Sequence, residues 1–359
     1  MEAQLKIVRM AGVVAATALA LGACGEAPTK EAAPGAGKKT DFTACMVSDS
    51  GGIDDKSFNQ TSYKGIEDAE KELGVTSKFL ESKSDNDYTA NVDAMVSQDC
   101  GVIVTVGFKL DQATRAAAEG NKEEKFAIVD FVHDPAIENV RPLVFNTNES
   151  SFLAGYLAAG MSKSGTVGTF GGAPIPTVQI FMDGYAAGVE HYNKTKGKNV
   201  EVVGWNRSSG KGLFTGDFEK KDVGAQNAQN LITQGADIVF PVAGPAGLGA
   251  LEAAKQSNGK VNAIWVDTDG CVSAAEYCSV LLTSVFKGMD VAVKDAVKDA
   301  VDGAFTNEKY VGTLENGGTG LTPFHEFESK IPQELRTELD QLKKDISAGK
   351  VDASSKYAF

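Results

Sequence analysis

The sequence predicts an α/β protein of two doubly wound lobes with a cleft between them. Two observations carry this. Short, continuously apolar runs alternate with amphipathic stretches of helical length in two successive series, and after the leader and tether described below about 320 residues remain, enough for two domains of ordinary size. Apolar strands separated by helices imply right-handed βαβ units and parallel sheets covered on both faces.

The first series runs from "ACMVSD" through a helix around 57–73, "SKFLES", a helix around 87–98, "GVIVTVG", a helix around 110–120, and "KFAIVDF". The second follows "PLVFNTNESSF". It has a helix at about 149–163, "GTVGTFGG", a helix at 176–194, "NVEVVGW", a helix at 219–235, "ADIVFPVAG", a helix at 245–257, and "VNAIWVDTD". After Asp269 the rhythm loosens into "VLLTSVF", a helix at 287–302, "YVGTLENGGTGLTPF" and a polar helix around 332–348. The expected division is an N-terminal lobe at 41–146, completed by about 270–304, and a C-terminal lobe at 147–269, completed by about 305–359.

The first residues read as an export signal. Lys6 and Arg9 precede a small, apolar stretch from Ala11 to Ala20, too short to span a bilayer, which closes on Leu21-Gly22-Ala23-Cys24. That ending resembles the cleavage site of bacterial lipoproteins, so residues 1–23 are expected to be removed and Cys24 to carry the lipid. Residues 24–40 are rich in Pro, Gly and Ala, have no apolar period, and read as a flexible tether. The expected location is extracytoplasmic, held to the cell membrane by that lipid.

The net charge is −13, and loss of Glu2, Lys6 and Arg9 with the leader takes it to about −14. An acidic body of this kind disfavours nucleic acid and anionic lipid and leaves small neutral ligands open. Beyond Cys24 there are four cysteines. In an exported chain an even number favours disulfides. Cys271 and Cys278 can close a small ring. Cys45 and Cys100 each precede an apolar strand and can pair if those strands are neighbours. A zinc site lacks short ligand spacings, with His133, His191 and His325 scattered, so no metal is expected.

Doubly wound sheets hold ligands at the carboxyl ends of their strands. Those ends carry Asp49, Phe108, Asp130, Gly172, Trp205, Gly244 and Asp267. They hold no G-x-S-x-G elbow, phosphate-binding glycine loop or paired metal-ligating histidines, so neither catalysis nor a cofactor is expected. Carboxylates, amides, glycines and aromatic rings suit a neutral, hydroxylated, flat ligand: Asp accepts from O–H and N–H groups, and rings stack on a planar partner. The loop "SDSGGIDDKSFNQ" holds more polar groups than a connection needs, and Asp54 and Asp55 also fit as turn or helix-capping residues.

Taken together, "GGIDDKSFNQ", "AIVDF", "ESSFLAGYLAAGMSKSGTVGTFGG", "IPTVQIFMDGYAAGV", "QGADIVFPVAG" and "WVDTD" resemble the basic membrane protein family of lipoproteins. These are PnrA-like substrate-binding proteins of purine nucleoside ABC importers. The resemblance runs from about 44 to 290 and continues more weakly to about 345. It implies a type I periplasmic-binding-protein fold, two Rossmann-like lobes joined by a hinge of three strands, and a monomer that hands a purine nucleoside to ABC permease subunits. Carried over by position, Asp49 and Asn59 would help hold base or sugar, Phe58 would stack on the base, and Asp130 would bond its edge. Gly244 would offer backbone to the ribose, with Asp267 and Lys287 on its hydroxyls. Phe218 would form the second aromatic wall, with Phe181 the alternative. "NRSSGKGLFTG" at 206–216 is longer and richer in glycine than the family pattern. A sugar or autoinducer receptor on the same fold, and a lipoprotein serving a membrane sensor, are the rival readings.

Overall fold

The computed structural model describes residues 40–359. The expected leader at 1–23, the lipidation site Cys24 and nearly all of the 24–40 tether lie outside the described residues.

The first apolar series folds as predicted into alternating strands and helices: β1 (Thr43–Ser48), α1 (Phe58–Leu73), β2 (Thr76–Glu81), α2 (Tyr88–Val96), β3 (Val102–Val106), α3 (Asp111–Gly120), β4 (Phe126–Val129) and β5 (Val140–Phe145). The second gives α4 (Thr147–Met161), β6 (Thr166–Gly171), α5 (Pro176–Lys196), β7 (Glu201–Val203), β8 (Trp205–Asn206), β9 (Lys211–Gly212), α6 (Lys221–Thr233), β10 (Ile238–Val242), α7 (Leu248–Gln256) and β11 (Asn262–Asp267). The remainder forms α8 (Gly270–Ser273), β12 (Leu281–Lys287), α9 (Met289–Val301), β13 (Tyr310–Gly312), β14 (Thr319–Leu321) and α10 (Gln333–Ser347).

Among the described residues two six-stranded sheets form, in the orders β2-β1-β3-β4-β5-β13 and β7-β6-β10-β11-β12-β14. Five strands of each share one winding order, and the pairs among them are parallel; β14 is added antiparallel to β12. The central strands β1, β3, β4 and β10 are buried almost throughout, which is why they read as unbroken apolar runs instead of alternating ones. Helices pack closely over the second sheet. Gly155 of α4 lies so near α5 that a Cβ there would sit 1.9 Å from the Tyr185 carbonyl oxygen.

The chain passes between the sheets at Asn146, at Gly288 and between β13 and β14. These three passages are bonded to one another: Asn146 N–H donates to Gly312 O and Gly288 N–H donates to Gly318 O, each at 2.8 Å. They fall at places that differ from the expected division. Residues 281–287, expected with the N-terminal lobe, are β12 of the second sheet, and residues 310–312, expected with the C-terminal lobe, pair with β5 of the first. The physical reason lies in residues 270–280. Their short α8 and the 3-10 helix that follows at Ala275–Val280 replace the long crossover helix that marks the other units, so the rhythm is lost while the second sheet still continues.

Both cysteine pairings form. Cys45 lies inside β1, not ahead of it, and Cys100 just precedes the neighbouring β3; their Cα atoms are 5.9 Å apart. Cys271 and Cys278 close the small ring after β11, with Cα atoms 4.6 Å apart. No helix among the described residues is long and apolar enough to cross a membrane.

Candidate ligand site in the cleft

The carboxyl ends of both sheets face one pocket holding about 600 Å³ of empty space, mouth included. Asp49, Phe58, Asn59, Asp130, Phe181, Phe218, Gly244, Asp267 and Lys287 all line it. Its lining of aromatic rings with a few convergent polar groups is that of a small-molecule site.

The loop between β1 and α1 explains itself once folded. Asp55 is buried and accepts the N–H groups of Ser57, Asn59 and Gln60 at 2.8–3.0 Å, so it satisfies the orphan donors of the helix start. That frees Phe58 and Asn59 to face the pocket. Asn59 Nδ2 donates to Asp49 Oδ1 at 2.8 Å. Gly107, at φ 120, gives Asp49 its space: a Cβ there would lie 2.5 Å from Asp49 Oδ2.

Asp130 and Asp267 occupy equivalent places in the two lobes, each at the end of the fourth strand of the shared winding order, and each with φ 68. A left-handed backbone at a non-glycine residue costs about 1–2 kcal/mol and concentrates at functional sites. Lys287, the last residue of β12, reaches between them. Its Nζ donates to Asp130 Oδ2 at 2.5 Å and lies 3.8 Å from Asp267 Oδ1. It also stands 5.0 Å from the centre of the Phe58 ring and 5.1 Å from that of Phe181, within cation–π range. Lys287 was expected at the start of a helix; it is instead the buried end of a strand. Two acceptors on residues of the same lining, Asn59 Oδ1 and Asp130 Oδ1, are buried without a hydrogen-bond partner.

The structure brings Phe181 and Phe218 to the same pocket in different ways. Phe181 is nearly inaccessible, and its ring lies edge-on to Phe240, 6.3 Å away. Phe218 stays partly exposed in the loop before α6, with its ring close over Gly172. The glycine-rich stretch at 206–216 turns out to be a β8–β9 hairpin that leads into Phe214, bridged to Gly171, and then to Phe218. Phe108, named above among the strand ends but given no ligand role, also lines the pocket, as do Ile175, Thr177 and Pro245, to which sequence reasoning assigned none. Phe108 lies just past the end of β3 and Ile175 in the turn between β6 and α5, a signal present in the sequence but without a motif to weight it.

Burial sets the electrostatics. It pushes Asp49 up to about 8, against the lowering effect of Asn59, and Asp55 up to about 6. Asp130 and Asp267 are also raised by burial, opposed by Lys287. The closed cleft therefore binds more protons than an open, hydrated one, and closure of the solute-free protein is favoured as pH falls from about 8 toward about 4. Small-angle scattering is expected to give a smaller radius of gyration at pH 5 than at pH 8, and Asp49→Asn is expected to flatten the difference. An unchanged or inverted trend would show that the carboxylates do not resist closure.

Among the described residues, one cluster outside the pocket has metal-ligand chemistry: Asp269, Cys271 and His325 place ligand atoms within 4.8 Å of one another. The fold thus assembles what the sequence scatters. In the oxidised chain Cys271 is spent on Cys278, while the Asp269 oxygens take Cys271 N–H at 3.0 Å and pair with His325 Nε2 at 2.8 Å.

Two similarly wound lobes, three passages between them and a lined cleft at the carboxyl ends of both sheets define the type I fold of periplasmic solute-binding proteins. A crystal structure of ABC transporter solute-binding proteins from Aeropyrum pernix has this arrangement, with a TM-score of 0.78, 26% identity, and coverage of 87% of this chain and 92% of that one. The family model for ABC transporter substrate-binding proteins of the PnrA-like type matches residues 42–352, and the chain belongs to that family. It is therefore a solute-binding protein and not an enzyme, with a small-molecule ligand and permease partners. An ABC transporter nucleoside-binding protein, BmpA, of Lactococcus lactis is 29% identical over 371 residues, covering 98% of this chain and 99% of its own. An uncharacterized lipoprotein of Pyrococcus abyssi is 31% identical over 283 residues, covering 77% of this chain and 67% of its own.

Proposed function

We propose that this protein is a monomeric lipoprotein, anchored through Cys24, that closes its two lobes around a purine nucleoside and delivers it to an ABC importer. The observation that carries the ligand class is the pair of buried, unpartnered acceptors, Asn59 Oδ1 and Asp130 Oδ1, in a pocket that Phe58 also lines. Such a pocket asks for a flat ligand with N–H or O–H donors. A ligand lacking those donors leaves the acceptors unpaired at a cost of about 1–3 kcal/mol each. Asp49, Asn59 and Asp130 are assigned to the base and sugar, Phe58 and Phe218 to the two faces of the base, and Gly244, Asp267 and Lys287 to the ribose. Phe181 supports Lys287 from below. The nucleoside-binding name of the Lactococcus lactis relative agrees with this reading.

The test is calorimetry on protein stripped of carried-over solute by unfolding and refolding without reductant. Adenosine, guanosine, inosine, cytidine, ribose and glucose are titrated in turn. A purine nucleoside is expected to bind tightest, and Phe58→Ala to weaken it by about ten- to a hundredfold through lost stacking. Binding of ribose or glucose in preference to every nucleoside would move the protein to the sugar branch of the fold.

A further inference from the structure

Beside the pocket, the loop before α1 makes a second set of bonds to the other lobe. Lys56, at φ 62, turns its carbonyl oxygen toward the second lobe, where it accepts two hydrogen bonds: Trp265 Nε1 at 3.1 Å and Ser273 Oγ at 2.8 Å. The next residue continues the contact. Ser57 Oγ donates to Asp267 Oδ2 at 2.8 Å and lies 3.4 Å from Val266 O. Trp265 is fully buried in β11, and neither it nor Ser273 lines the pocket.

We propose that the Lys56 carbonyl, gripped by Trp265 and Ser273, is a closure latch that sets how long the protein retains its solute. Trp265 and Ser273 are positioning residues: they hold the lobes shut and touch no ligand. A carbonyl has two lone pairs, and this one spends both on the second lobe. Opening the cleft breaks both bonds together, so the latch acts on dissociation and not on first encounter.

The small disulfide ring gives the latch its stiffness. Ser273 ends α8, a helix of four residues, which is too short to persist alone. The Cys271–Cys278 ring takes in its last three residues, the Asp269 carboxylate caps its first turn, and His325 holds that carboxylate from the other side. The ring thus presents the Ser273 hydroxyl at a fixed place. An ordinary crossover helix would not turn a side chain back across the cleft here.

The inference rests on the solute-binding reading but not on the identity of the solute, and the experiment has one arm for each. Stopped-flow kinetics with the tightest ligand of the panel are expected to show dissociation about fivefold faster in Ser273→Ala, with association unchanged, and recovery in Ser273→Thr. Trp265→Phe is expected to act similarly. The double variant should exceed the product of the two, because only then is the carbonyl left without a partner. Cys271→Ala/Cys278→Ala is expected to match Ser273→Ala, and adding Ser273→Ala to it should do little more. In the second arm, scattering from solute-free protein at pH 5 is expected to show a larger radius of gyration for Ser273→Ala than for the wild type. Unchanged dissociation in Ser273→Ala, or a change that Ser273→Thr fails to rescue, overturns the latch even if nucleosides bind. If no nucleoside binds, a larger solute-free Ser273→Ala still upholds the latch and an unchanged one overturns it, so the two readings fail separately.

Discussion

Lys287→Met is expected to weaken solute binding by about a hundred- to a thousandfold while leaving the unfolding midpoint nearly unchanged. The side chain is 3% exposed and lies between Asp130 of the first lobe and Asp267 of the second. Methionine keeps the apolar stem against Phe58 and Phe181 and removes only the charged end. In the shut cleft that leaves two buried carboxylates facing each other with nothing between them, and breaking a buried pair in this way costs about 3–5 kcal/mol. The penalty falls on closure, because an open cleft returns both groups to water. Global stability is therefore spared. Lys287→Met/Asp130→Asn is expected to recover about tenfold of the loss, since it removes one of the stranded charges even though it also changes a ligand contact. Calorimetry against the preferred ligand, beside thermal unfolding of the same preparations, checks both halves. Affinity within about threefold of the wild type would show that Lys287 does not organise the cleft.

How far the sequence reveals this site depends on which forces leave a local trace. Strands buried on both faces must be apolar throughout, so β1, β3, β4 and β10 are legible without any partner in view. A charge at the end of such a run has no packing reason, which is why Asp130 and Asp267 stand out. Resemblance to a family supplied Phe58, Asn59, Gly244 and Lys287 as one constellation, and the fold gathers them around one pocket. What stays hidden is set by contacts between distant residues. Neither the equal φ of Asp130 and Asp267 nor their shared place in two sheets is written in their neighbours. His325 meets Asp269 across 56 positions. The third passage depends on β13 and β14, three residues each, whose identity as strands comes only from the partners they pair with. The misplaced boundary at 270–287 has the same origin: a disulfide ring stands where a helix would have kept the rhythm.

Removing the other disulfide is expected to produce the opposite phenotype to Lys287→Met, with stability lost and affinity retained. Cys45–Cys100 closes a loop of 55 residues between the neighbouring strands β1 and β3, both sulfurs lying in the core of the first lobe. In the chain-entropy treatment, cross-linking a loop of this length removes about 4 kcal/mol worth of freedom from the unfolded chain, against about 2 kcal/mol for the seven-residue Cys271–Cys278 separation. Cys45→Ala/Cys100→Ala should therefore lower the free energy of unfolding in urea by about 4 kcal/mol, a large part of the 5–15 kcal/mol typical of a domain. Neither residue touches the pocket, so the ligand affinity of the fraction that remains folded should stay within about threefold of the wild type. Cys271→Ala/Cys278→Ala should show the reverse balance, a modest loss of stability and faster solute release. If both pairs proved equivalent in unfolding and in release, loop length and the placement of Ser273 would have no part in what these disulfides do. A division along the expected lines would make the long-range bridge a brace for the first lobe and the short one a component of closure.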